Sequence, residues 1–279
     1  DEVRIYDNQL SFAGVGQLAG TTPTGTVDFN AALDTTPNNT WEESNGITAL
    51  DGTVGTGVSQ QAVSSGTAIE SAYAFTGAGG VQFGDNFEGV LGNNLTQSSA
   101  SFEVWLRPTD LSGDEAVLDL GGNTDGSSLS LTGSDLQFVA KDNANVQTLT
   151  ADLSGADISD FIQAVAVVDL DNDFTSLYVN GALVDSDAYN GNDWAGSNDG
   201  GLGDVFGGQF GGDLSGFDPF EGDIASFRLF GTALTEQEVL DLFNAQQVAA
   251  VPEPASIAIW SLVGLCLGCF GFYRMRRSV

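Results

Sequence analysis

The chain has no histidine and only seven lysines and arginines in 279 residues. The first absence removes imidazole as general base or metal ligand, so Ser-His and Cys-His catalysis are excluded. The second stands against 38 aspartates and glutamates, a formal net charge of −31. No surface this negative attracts a phosphate backbone, and nucleic-acid binding is excluded. Proline is scarce, and both cysteines, Cys266 and Cys269, lie close to the C-terminus, so the body of the chain is expected to fold without disulfides. What remains is 42% hydrophobic residues and 37 glycines. That apolar content sets the chain apart from a disordered acidic tail and allows one sizeable core.

The C-terminus is the most explicit part. Residues 255–273, ASIAIWSLVGLCLGCFGFY, carry no charge. As a helix they reach roughly 28 Å, enough for a hydrocarbon core of about 30 Å, and residues 254–273 are expected to span a membrane. Arg274, Arg276 and Arg277 follow at once and mark residues 274–279 as the cytoplasmic side. Cys266 and Cys269 then read as small apolar side chains within the span, not as a redox or zinc pair. Residues 1–251 hold 37 acids against Arg4, Arg107, Lys141 and Arg228. They are expected outside the cytoplasm, where counter-ions relieve such self-repulsion. Asp1 in place of Met suggests that a secretion signal has been removed.

Val251-Pro252-Glu253-Pro254-Ala255 precedes the span. The two prolines hold this strip extended, as a processing enzyme's cleft requires. The motif, a short hydrophobic helix and a terminal Arg cluster together resemble the PEP-CTERM sorting signal of Gram-negative bacteria. The resemblance assigns Val251, Pro252, Glu253, Pro254, Arg274, Arg276 and Arg277 to sorting and implies a partner, the membrane protease-transpeptidase exosortase. It also implies release or attachment at the surface of a cell that makes extracellular polysaccharide.

Upstream, short runs of β-branched and aromatic residues are cut by Gly, Asn and Asp, the pattern of many strands joined by tight turns. Residues 101–108 (SFEVWLRP) form one strand, residues 164–169 (AVAVVD) another that is buried on both faces, and Asn180-Gly181 a hairpin turn. Thr235 and Glu238 are spaced as a capping box, followed by a helical stripe of Val239, Leu242, Phe243 and Gln246. Strands in this number without intervening helices imply a sandwich or barrel.

These segments resemble the laminin-G-like, concanavalin A-type jelly roll. Its strand motifs match residues 101–108, 165–169 with 177–181, and 220–235, in that order. The fold class that follows is all-β: a jelly-roll β-sandwich over residues 24–248 with one C-terminal amphipathic helix. An N-terminal arm or edge strand (1–23) precedes it, and the sorting tail (249–279) follows. The family's histidines before the buried strand are replaced by Ile162-Gln163-Ala164, and its acidic pair after Ile224 by Ala225-Ser226.

Asp169-Leu170-Asp171-Asn172-Asp173 places carboxylates as a calcium loop does, but Phe174 stands where Gly is needed and Asn180 where Glu is needed. The stretch reads as a hairpin turn. Asp85, Asn86 and Asp223, next to strand-like segments, are the candidate ligands for a possible Ca2+. Trp41 and Trp194 are the candidate sugar-stacking residues, with a half-buried place in the core as the alternative reading. The glycine-rich residues 200–212 lack the Gly-Lys-Ser/Thr of a phosphate loop. No alternating Glu-x-Asp-x-Glu strand offers the paired carboxylates of a concanavalin-like glycosidase. The expected function is therefore a surface-sorted, non-catalytic interaction module whose partner is extracellular polysaccharide or matrix. A self-assembling coat or fibre subunit is the alternative, and a glycosidase a minor one.

Overall fold

A computed structural model describes residues 25–34, 39–122, 124–206 and 214–247. The expected arm (1–23), the sorting motif from Val251 to Pro254, the membrane span and Arg274, Arg276 and Arg277 lie outside these residues. No helix among the described residues is long and apolar enough to cross a membrane.

In chain order the strands are β1 (Val27–Asn30), β2 (Thr40–Trp41), β3 (Gly52–Val54), β4 (Val58–Ala62), β5 (Ser71–Thr76), β6 (Val81–Gln82), β7 (Ala100–Pro108), β8 (Asp114–Gly121) and β9 (Asp125–Thr132). They continue as β10 (Asp135–Asp142), β11 (Asn145–Asp152), β12 (Ile162–Asp169), β13 (Phe174–Val179), β14 (Ala182–Ala188), β15 (Gly201–Leu202), β16 (Asp218–Pro219) and β17 (Glu221–Phe230). Two short helices, α1 (Phe87–Leu91) and α2 (Asn93–Thr96), precede β7, and α3 (Glu236–Gln247) follows β17. One sheet runs β14-β13-β12-β7-β17-β5-β4, with β1 also on β17; the other runs β11-β10-β9-β8-β15-β6-β3-β2, with β16 parallel to β8.

Strand alternation sends one set of side chains from each sheet into a shared core. Phe102, Val104 and Leu106 of β7 meet Leu129 and Leu131 of β9 and Phe138 of β10 there. The long β17 divides its neighbours. Glu221 to Ile224 pair with β5, and Ser226 to Leu229 pair with β1, with a register shift between Ile224 and Ser226. The extra residue at that bulge keeps Ile224, Phe227 and Leu229 all pointing into the core.

The outer face of the first sheet is covered by α3. Thr235 N–H donates to Glu238 Oε2 (2.8 Å) and Glu238 N–H to Thr235 Oγ1 (3.3 Å), the reciprocal capping box that starts the helix. Val239 and Leu242 then pack on Val165, Val167, Tyr178 and Phe230. Phe243 stacks on Trp105 at 6.1 Å with the rings 4° apart. Asn180 (φ 51°) and Gly181 (φ 77°) make the β13–β14 turn as the sequence predicts. A side chain at Gly181 would press on Phe243 at 3.1 Å, so the turn needs glycine for its conformation and for the close approach of α3.

Candidate functional site

The residues singled out in the sequence lie in four separate places. Trp41 and Trp194 are fully buried. Trp41 stacks on Tyr73 at 4.3 Å, and Trp194 meets Phe102 edge-on while its Nε1–H donates to Ser98 O (2.9 Å). Neither ring is open to a sugar; both fill the core, because their strand and loop positions point inward. Asn86 caps α1 by accepting from Gly89 N (2.6 Å), and Asp85 Oδ1 accepts from the Asn86 amide (2.8 Å). Asp223 pairs with Arg107 at 2.7 Å and accepts from Gln61 Nε2 at 2.7 Å. Capping and ion pairing thus occupy all three proposed cation ligands. Among the described residues no three acidic or sulfur- or imidazole-bearing side chains converge as a metal ion requires.

A buried network underlies α3. On the outer face of the first sheet, Asp28, Arg228 and Glu103 stand side by side on β1, β17 and β7. Arg228 and Glu103 form an ion pair with both side chains at least 96% covered. Glu103 Oε1 accepts from Trp105 Nε1 (2.9 Å) and Gln163 Nε2 (2.7 Å), and the Arg228 guanidinium lies 5.6 Å from the Phe230 ring. Burial raises Asp28 to about 6; Arg228 opposes this, while Glu103 and Glu43 add to it. All three side chains are buried, so they hold the fold and are closed to a ligand from solvent.

One end of the sandwich differs from the rest of the surface. The β12–β13 hairpin displays Asp171, Asn172 and Asp173 in solvent and ends on Phe174, the one exposed aromatic ring among the described residues (40%). Asp169 accepts from Asn172 N (3.1 Å) and Nδ2 (2.8 Å), and Ser99 Oγ reaches Asp169 and Asp171. This turn is joined to its neighbour through Tyr189 N–H, which donates to Asp173 O (2.9 Å), and Tyr189 O–H, which donates to Asp193 O (3.0 Å). The adjoining β10–β11 turn brings Asp142 and Asn143 beside Asp125. Asn143 N–H donates to Asp125 Oδ1 (3.2 Å), and Asn192 N–H to Asp142 Oδ2 (2.7 Å).

The charges at this end are graded. Burial raises Asp125, and Asp142 adds to this by its charge and by a shared hydrogen bond, against the Asn143 amide. Burial also pulls Asp142 upward, but the donors on Asn192 and Asn143 and its bond to Asp125 outweigh it and leave the group below its ordinary value. Burial raises Asp193 and the Tyr189 phenol. The result is a rim of carboxylates and carboxamides at fixed spacing, with an apolar ring at its edge. Sequence reasoning met Asp169 to Asp173 only as a failed calcium loop. The available signal was that three Asx-rich turns, at 142–143, 169–173 and 190–193, recur at strand ends.

Residues 75–240 match a family model described as the concanavalin A-like lectin/glucanases superfamily, a laminin-G type. The chain belongs to that superfamily. Among solved structures it is similar to the receptor-binding domain of botulinum neurotoxin type G (14% identity, TM-score 0.58), covering 80% of this chain and 51% of that one. It is also similar to a structure titled for the dependence of botulinum neurotoxin type C cell entry on two ganglioside molecules (16% identity, TM-score 0.57), covering 82% and 52%. The chain spans about half the length of these structures, and at such identities the likeness is one of fold. A comparison with curated proteins gives no match.

Proposed function

We propose that this protein is a non-catalytic carbohydrate-binding module that engages extracellular polysaccharide through the Asx-rich end of its sandwich. The carrying observation is Phe174 beside Asp171 and Asn172: carboxylates and carboxamides bond sugar hydroxyls, and an exposed ring takes the apolar face of a pyranose. The superfamily, named for its lectins and glucanases, supports carbohydrate as the class of ligand. The net charge of −31 adds selectivity, because uronate or sulfate groups are repelled while neutral hydroxyl-rich chains are not. A glycan array probed with the full chain tests this: neutral oligosaccharides should be retained and anionic ones excluded. An array without signal would remove the reading.

The sorting half of the proposal rests on the sequence of the tail. The chain is exported, Val251 to Pro254 with Arg274, Arg276 and Arg277 present it to an exosortase, and the product resides at or near the surface of a Gram-negative-type cell. Pro252→Ala with Pro254→Ala should leave unprocessed precursor in the membrane, read by the mass of the accumulated chain; unchanged mature mass would remove the assignment.

A further inference from the structure

The outer face of the second sheet carries a carboxyl that the binding end does not use. Asp119 of β8 is fully buried there, directly opposite Ser128 of β9, which is also fully buried. Asp119 Oδ2 accepts from Phe206 N–H (2.8 Å), but Asp119 Oδ1 and Ser128 Oγ have no hydrogen-bond partner among the described residues. Buried polar atoms are rarely left so, and each instance calls for a proton, a water or an ion. The charge acting on Asp119 is Asp204, of the same sign, on the segment that covers it. Around it β9 presents Ser128 and Ser130, β15 presents Gly201 and Leu202, and β10 places Val139 in the same cross-strand row, with Lys141 in the next row. Two hydroxyl or carboxyl oxygens fall short of the six or more that a calcium ion takes. A proton on the carboxyl removes a buried charge facing Asp204.

We propose that Asp119 is a proton-operated latch that holds residues 203–206 against the second sheet. The segment is fastened at three points, by Gly203 N–H to Val117 O (2.9 Å), Phe220 N–H to Gly203 O (3.0 Å) and the Phe206 amide to Asp119. Its Phe206 ring lies over Gly201, where a Cβ would come within 2.3 Å of the ring. Val205 continues the cover by packing with Leu214 and Phe217 on Ala116 and Val139. Burial raises Asp119 to about 7, and Asp204 adds to this against the Phe206 amide. When the segment lifts, the carboxyl is hydrated and returns toward its ordinary value near 3.8. Opening therefore becomes easier as the pH rises from about 4 to about 7, by up to about tenfold per pH unit, and then levels off once Asp119 is ionised in both forms.

Hydrogen exchange of the Phe206 amide, read by NMR on the full chain and corrected for intrinsic rates, tests the latch. Protection should fall at least about tenfold between pH 4.5 and 7 and stay flat to pH 8.5, while the Val167 amide in β12 shows a different profile. Asp119→Asn keeps an acceptor for Phe206 and cannot ionise, so its protection should not vary with pH. Asp204→Asn, which leaves Asp119 in place, should move the levelling-off to lower pH. Flat protection in the parent, or the same fall in Asp119→Asn as in the parent, would overturn the proposal.

Discussion

Trp105 shows how much one residue does here. It projects from β7 away from the main core, yet it is fully buried because Phe243 of α3 lies flat on it, with Ile69, Ala72, Phe161 and Ala225 around the ring. Its indole N–H also orients Glu103, which pairs with Arg228. Trp105→Ala should therefore cost about 3–5 kcal/mol from cavity formation. A thermal melt within about two degrees of the parent would show that α3 does not rest on this ring. The strand tryptophan was legible in the sequence through its motif. For Trp41 and Trp194 the sequence left core and sugar contact both open, because a lone aromatic beside polar residues carries no period that says which way it points. Arg107 and Asp223 illustrate the same limit: they stand 116 residues apart, and only the pairing of β7 with β17 brings them together.

At the level of elements, the open end of the first sheet bears on the alternative of a self-assembling coat. β14 is an edge strand with Leu183 and Val184 exposed, the kind of edge that recruits a second chain. Its amides are answered locally: Ser186 N–H donates to Asp185 Oδ1 (2.8 Å) and Ala188 N–H to Asp187 Oδ1 (2.7 Å). The other oxygens of the same carboxylates accept from Thr150 N–H (2.8 Å) and Gln147 Nε2 (3.3 Å), tying β14 to β11 of the opposite sheet. These aspartates close the edge and join the sandwich along one side. Asp185→Ala with Asp187→Ala should turn a monodisperse protein into one whose size grows with concentration, read by light scattering; an unchanged size would show that the edge needs no closing. Strands β7, β12 and β13, the Asn180-Gly181 turn and the capping box of α3 were legible, because each depends on residues within a few positions. The Asx-rich end was not, because its three turns are distant in sequence and are joined through Tyr189 and Asn192.

For the whole molecule, acidity governs stability. Asp28 at about 6 and Asp119 at about 7 both lie above the value near 3.8 expected when unfolded. The folded state binds more protons, so their contribution is complete below about pH 4 and is lost as the pH rises through 6 and 7. Asp142 acts in the opposite sense, being lowered when folded, and its contribution is lost below about pH 4. The stability maximum should fall on the acid side of neutrality, with urea unfolding at pH 5 exceeding that at pH 7.5 by at least ~2 kcal/mol. A maximum at or above pH 7 would show that neither buried carboxyl holds its proton. The same surplus of negative charge bears on the proposed binding of carbohydrate at the Asx-rich end. The most direct measurement is calorimetric titration of a neutral oligosaccharide retained on the array into the parent, Phe174→Ala and Asn172→Ala. Loss of about 1–3 kcal/mol of binding in each variant, with melting temperatures unchanged, is the expected result. Equal affinity in all three proteins would place the carbohydrate elsewhere and contradict the account.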